Sequence, residues 1–207
     1  MNLDTIETII LRLGGLLAFT ALGIVLYGVW RGTQRQAGRT SGRAGGWLRS
    51  WWFYLITTLI FIGIAIWAWK PVPQTFSTTG RVWVLVLGSL LYFAGLVFVL
   101  WGRLMLGKNY FVSSGIGAQL FEGHQLITSG PYAIVRHPMY FGLFIMALGS
   151  LLLYHTWTTL FFASFVPLTV LRARREELLL AEEFGTEWQE YCKRVPQFFP
   201  RVWRKKT

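Results

Sequence analysis

Residues 128–142 gather groups able to bind or orient a charged ligand at the mouth of a long apolar segment. They are a Gly130-Pro131 turn, Tyr132, the Arg136-His137 pair, Pro138 and Tyr140. A second charged cluster, Arg172, Arg174, Arg175, Glu176 and Glu177, follows the next apolar segment. Ionisable side chains at a membrane edge are costly unless paired, hydrated or bound to something. Two such clusters at the same end of one helical hairpin could build a shared polar pocket.

Pro138 suits the first turn of a helix, where its missing N–H costs nothing. The remaining free N–H groups and the dipole of that turn favour an anion. His137, with Tyr140 one turn on, could therefore grip the acidic part of a ligand. Equally, Arg136 and His137 could contact lipid headgroups and cap the helix. Arg172 and Glu176 lie four residues apart and share a helix face. They could form an intrahelical ion pair contributing a few tenths of a kcal/mol, or Glu176 could neutralise a cationic ligand group while Arg172 orients an anionic one. His124 sits in a polar connector near Asn109 and Glu122, a setting that more often makes a surface histidine than a ligand.

Other chemistries find little support. Three histidines without ligand spacing point to neither zinc nor haem. Gly115-Ile116-Gly117 lacks the third glycine and the preceding strand of a dinucleotide fingerprint. The single cysteine, Cys192, excludes an intrachain disulfide framework and is outside any prenylation box.

The elements that must position these residues follow from composition. Of 207 residues, 54% are hydrophobic and 14% charged, with a mean hydropathy of +0.46; soluble domains carry roughly 25% charged residues. The apolar residues form long runs, so the chain reads as an integral membrane protein, and lipid restricts such runs to helices. The expected fold is all-α, a single polytopic membrane domain over residues 1–207. Its five spans fall at about 9–30, 51–69, 82–101, 138–154 and 157–171. The connector 102–137 and a helical tail over 172–200, interrupted at Gly185, would carry the pocket. Residues 32–46 read as a flexible loop, a topology determinant or a contact for anionic lipid.

The net charge of +11 lies in the loops, which argues against nucleic acid. Seventeen of the 20 Lys and Arg fall in 31–50, 102–137 and the tail. By the positive-inside rule this predicts an outer N-terminus and a cytoplasmic C-terminus. A bacterial chain of this kind belongs in the inner membrane, a eukaryotic one in the endoplasmic reticulum.

The motifs Leu106-Gly107-Lys108-Asn109, residues 123–132 from Gly123 to Tyr132, and Arg136-His137-Pro138-Met139-Tyr140-Phe141-Gly142 resemble the isoprenylcysteine carboxyl methyltransferase family. The tail continues the pattern in order with Arg172, Glu176-Glu177, Phe184-Gly185, Glu190-Tyr191 and Lys193-Arg194-Val195-Pro196. The Arg-His-Pro-x-Tyr plus Glu-Glu combination is also similar to that of phospholipid N-methyltransferases. The resemblance spans about residues 100–200 and implies a membrane enzyme that moves a methyl group from S-adenosyl-L-methionine to a lipid or prenylated acceptor. It implies cofactor contacts at His124, Gln125, Leu126, Ile127, Tyr132, His137, Pro138, Met139, Tyr140, Glu176 and Glu177, with a further contact around residues 117–119. Arg172 corresponds to the family's substrate-contacting arginine, and Arg136 joins it as a catalytic candidate. The competing expectations are phospholipid N-methylation, a sterol-type reductase using a nicotinamide cofactor, and a non-catalytic lipid-binding protein.

Overall fold

The computed structural model describes residues 2–34, 37–42, 50–110, 117–121 and 123–201, with the backbone alone at 37–42, 117–119 and 121. Six helices and one two-stranded ribbon follow in the order α1 (Leu3–Thr33), β1 (Ala37–Gly42), α2 (Trp51–Trp67), α3 (Thr78–Leu106), β2 (Gly117–Phe121), α4 (Pro138–Tyr154), α5 (Trp157–Phe165) and α6 (Thr169–Arg194). Short 3-10 turns occupy Gly107–Asn109, Gly130–Ala133 and Val166–Leu168. Four of the six helices start where a short polar side chain can take orphan N–H groups. Asn2 does so for α1, Ser50 for α2, Ser77 for α3, and Thr156 caps α5 in a reciprocal box with Thr159.

Among the described residues, α1 and α3 are long and apolar enough to cross a membrane, and α2 and α4 are shorter apolar helices. Large apolar side chains point outward along these helices, among them Phe19, Ile66, Trp67, Trp83 and Leu90. In water such a surface would associate; in lipid it is the solvated face.

Helices α3 and α4 pack most closely, because glycines remove the side chains between them. A Cβ at Gly95 would stand 2.5 Å from the Met146 nitrogen, and one at Gly142 2.6 Å from the Gly95 oxygen. Gly88, Gly102 and Gly149 extend the same seam. Small residues of this kind let membrane helices approach backbone to backbone. Helix α1 is fastened to this pair by two tyrosines. Tyr92 Oη donates to the Gly14 carbonyl at 3.0 Å, and Tyr154 Oη to the Leu11 carbonyl at 3.0 Å.

The structure adds detail to three expectations. The stretch expected as a fifth span over 157–171 is helical in two pieces, broken at the Val166–Leu168 turn, where Pro167 cannot continue the helical ladder, and α6 already begins at Thr169. The expected helical class holds, with one short ribbon added. Residues 37–42, within the expected loop 32–46, pair antiparallel with 117–121, Thr40 opposite Gln119 and Gly42 opposite Gly117. Positions 35, 36 and 43–46 of that loop are outside the described residues. Leu120 of β2 is almost fully buried against Leu179 of α6, so the ribbon is anchored on the helix that carries Arg172 and Glu176.

Candidate active site

His137 occupies the N-cap position of α4, yet its ring makes no capping bond. The chain around it is instead fixed from the other side by the segment after α6. The Arg136 and His137 N–H groups donate to the Pro196 and Gln197 carbonyls at 2.8 and 3.1 Å. This strap turns the imidazole toward α6, where both ring nitrogens face carboxylates. Nε2 is 3.0 Å from Glu177 Oε1, and Nδ1 is 3.6 Å from Glu176 Oε2. Tyr140, stacked on the His137 ring at 5.4 Å between centroids, donates its hydroxyl to Glu176 Oε1. His137 and Glu176 are 7% and 9% exposed, so their interaction is sheltered from water.

Adjacent glutamates have different surroundings because successive helix residues point about 100° apart. Glu176 lines a pocket; Glu177 is not among the lining residues and sits behind His137, taking Arg136 Nε at 3.0 Å. Burial raises the Glu177 carboxyl, but the hydrogen bonds from His137 and Arg136 outweigh it and hold it below its ordinary value. An ionised Glu177 only accepts, so His137 Nε2 carries the proton between them. Arg136 also donates to the Val195 carbonyl at 2.8 Å and lies over the Trp188 ring at 5.8 Å. With the Cys192 carbonyl at 3.4 Å, four protein partners engage this guanidinium, which ties the strap to the start of α4.

The pocket encloses about 730 Å³ of empty space, part of it open to the outside. Its walls come from four directions. The connector supplies His124, Gln125, Leu126, Ile127 and Tyr132, and the start of α4 supplies His137, Pro138, Met139 and Tyr140. Helix α6 contributes Arg172, Glu176, Leu180, Trp188 and Tyr191, and the end of α3 contributes Leu106 and Tyr110. The structure thus brings together every predicted residue except Glu177, while Arg136 touches the rim with its charge turned to the strap. The side chains of 117–119 lie outside the described residues.

Five of these walls were not foreseen as site residues: Leu106, Tyr110, Leu180, Trp188 and Tyr191. Trp188 and Tyr191 reach the pocket because α6 kinks at Gly185, whose φ of 49° and ψ of −115° suit glycine. Tyr191 Oη donates to the Tyr132 carbonyl at 2.6 Å, and Tyr132 Oη to the Gly102 carbonyl at 3.2 Å, linking α6 through the connector to α3. Asn109 holds the connector by accepting from the Gln125 N–H at 3.1 Å. Burial drives the His124 imidazole down to about 4, so it is neutral near pH 7, its ring against Phe184.

Arg172 opens the other half of the pocket. Its guanidinium lies 5.6 Å from the Tyr140 ring centroid, and Glu176, Tyr110 and Tyr54 are within electrostatic reach. One buried carboxylate, one half-buried guanidinium and a neutral aromatic lining therefore share a single hollow. No group of three or more potential metal ligands occurs among the described residues.

The phospholipid methyltransferase family model matches residues 83–187, just over half of the chain. The chain belongs to this family. The resemblance read from its motifs is borne out by individual relatives. A protein-S-isoprenylcysteine O-methyltransferase of Schizosaccharomyces pombe is 38% identical over 83 residues, which are 39% of this chain and 35% of that protein. Methanethiol S-methyltransferase 2 of Bradyrhizobium diazoefficiens is 29% identical over 160 residues, 74% of this chain and 60% of that protein. A Delta(14)-sterol reductase of Mus musculus is 44% identical over 77 residues, 36% of this chain and 18% of that protein. The chain spans less than two thirds of the length of each. With its outward apolar faces and this family membership, it is a membrane protein.

Proposed function

We propose that the chain is an S-adenosylmethionine-dependent methyltransferase acting on a membrane-borne acceptor, with a carboxylate as the methylated group. The observation that carries this reading is the pairing of Glu176 with Arg172 across one sheltered, mostly apolar hollow. The methyl donor bears an ammonium, a carboxylate and an adenosine, so its site needs an acid, anion-binding donors and aromatic or aliphatic walls. The lining has all three, which is the fit expected of such a donor set. When bound, S-adenosylmethionine supplies an electrophilic methyl group on a sulfonium.

In this reading Glu176 holds the donor's ammonium. Tyr140 fixes the carboxylate of Glu176 in place by donating to Oε1, with the His137 ring beside Oε2. His124, Gln125, Leu126, Ile127, Tyr132, Pro138 and Met139 enclose the remainder of the donor. Arg172 orients the acceptor by binding one carboxylate oxygen while the other attacks. Displacement of this kind is accelerated mainly by alignment and by exclusion of water. A carboxylate is ionised at neutral pH and needs no general base, which suits a hollow whose one histidine on α4 is committed to Glu177. Glu177 and Arg136 act as positioning residues rather than as ligands.

Names borne by relatives support an apolar acceptor, a prenylcysteine carboxylate in one case and methanethiol in another. The basic residues support a cytoplasmic pocket end and an outer N-terminus, with five membrane passages by α1 to α4 and by α5 with the start of α6. The acceptor then arrives sideways from the bilayer and the donor from the cytoplasm.

The test is methyl transfer from tritiated S-adenosylmethionine in membranes containing the full chain. The expected product is an apolar lipid whose label is released by mild base, as an ester's is. Base-stable label would transfer the assignment to an amine or thiol acceptor. No label, together with saturable NADPH binding, would replace it with a reductase.

A further inference from the structure

A second polar cleft lies between the ends of α1 and α3, and Tyr110 lines both it and the pocket described above. Three cations meet there: Arg31 from the last turn of α1, Arg103 from the last turn of α3, and Lys108 from the turn that follows. None of the described residues lining it is acidic. Basic residues at helix C-termini ordinarily complement the dipole from an outward, hydrated position. Arg103 departs from that pattern. It is only 8% exposed and its guanidinium lies 4.2 Å from the Tyr110 ring centroid. On the facing helix stands Gly28, where any Cβ would overlap the Arg103 guanidinium. Helix α1 thus carries no side chain where α3 inserts a charge.

We propose that this cleft is a phosphate site. Guanidinium groups match phosphate oxygens in charge and planar donor geometry, and Arg31, Arg103 and Lys108 all line this one cleft. The adjoining Leu104 is 66% exposed on an apolar helix, so a phosphate carried by a lipid can seat its head in the cleft while its chains run down α3. The site is independent of what the larger pocket binds.

The experiment titrates the purified full chain in detergent with three probes, followed by native mass spectrometry: a short-chain phosphatidic acid, inorganic phosphate, and the matching diacylglycerol. Arg103 is buried, so the informative variant is the more accessible pair Arg31→Gln with Lys108→Gln. At about fivefold per cation the pair weakens phosphate-bearing probes roughly 25-fold. The control pair Arg174→Gln with Arg175→Gln, on α6, changes affinity by less than about threefold because diffuse surface charge is screened. Preference for phosphatidic acid over inorganic phosphate identifies a lipid headgroup, and equal binding identifies a soluble phosphate. Equal binding of diacylglycerol, equal loss in the control pair, or no binding of either phosphate probe overturns the proposal.

Discussion

The two ends of the helix bundle each carry a charged cluster and a histidine, and they differ in almost everything else. At one end Arg81 bridges Asp4 and Glu7, at 2.7 Å each, and joins the start of α3 to the start of α1. That arginine is 40% exposed and Asp4 72%. At the other end Arg136, His137, Glu176, Glu177 and Arg172 are sheltered, threaded by the strap after α6, and arranged around a hollow. Exposed ion pairs hold little free energy because water competes for both partners. Sheltered ones are sensitive to any missing member, since the group left behind has lost its solvent. The first cluster is a fastening between helices, and the second combines fastening with the lining of a hollow. Within the second, Glu177 and Arg136 fasten, and Glu176 and Arg172 face the hollow, where the proposed function places the ligand.

That division can be broken by mutation. The largest effect is expected for Arg172→Ala, which should lower turnover about a hundredfold through lost acceptor alignment. Donor affinity should stay nearly constant. A matched loss in donor affinity with normal turnover would make Arg172 a donor ligand instead. Next comes Glu177→Gln, expected to destabilise by about 2 kcal/mol because the shared acceptor of Arg136 and His137 loses its negative charge. Thermal melts of the purified protein report it, with Arg81→Gln expected to melt within the scatter of replicates. Equal melting shifts in the two variants would erase the contrast between the ends.

The smallest effect is in mild acid, at about pH 6. Burial takes the His124 imidazole from 6.5 to about 4, so folding requires it neutral. Its contribution is complete above about pH 6.5 and lost as pH falls toward 4. Burial also lowers His155 at the opposite end, against the pull of Glu7. Glu177, held below its ordinary value, adds a loss at the acid extreme as it takes up a proton. Melting temperature should therefore be level above pH 7 and decline below about 6.5. His124→Phe should flatten more of that decline than His155→Phe; the reverse order would place the pH-sensitive burial at the wrong end.

Much of the lining of the hollow was legible in the sequence, because an ionisable residue beside an apolar run stands out. His137, Arg172 and Glu176 stand out that way. Which of Glu176 and Glu177 faces the hollow was not, since one residue of helical rotation decides it and α6 has polar side chains on both faces. Tyr110, Trp188 and Tyr191 look like ordinary amphipathic residues until the Gly185 kink and the α3 terminus bring them to one wall. The apolar helices were read correctly in number up to α4. The seam of Gly95, Gly142 and Gly149 was invisible because a glycine's role in close approach depends on which helix lies opposite. The ribbon pairs two distant connectors whose local composition reads as loop, so neither strand announced itself.

Calorimetric titration of S-adenosylhomocysteine into the purified full chain tests the central assignment most directly. Saturable one-site binding is expected, weakened at least about tenfold by Glu176→Gln through loss of a charge-assisted contact, and unchanged by Arg81→Gln. Unaltered affinity in Glu176→Gln, or binding of NADPH in place of S-adenosylhomocysteine, would contradict it.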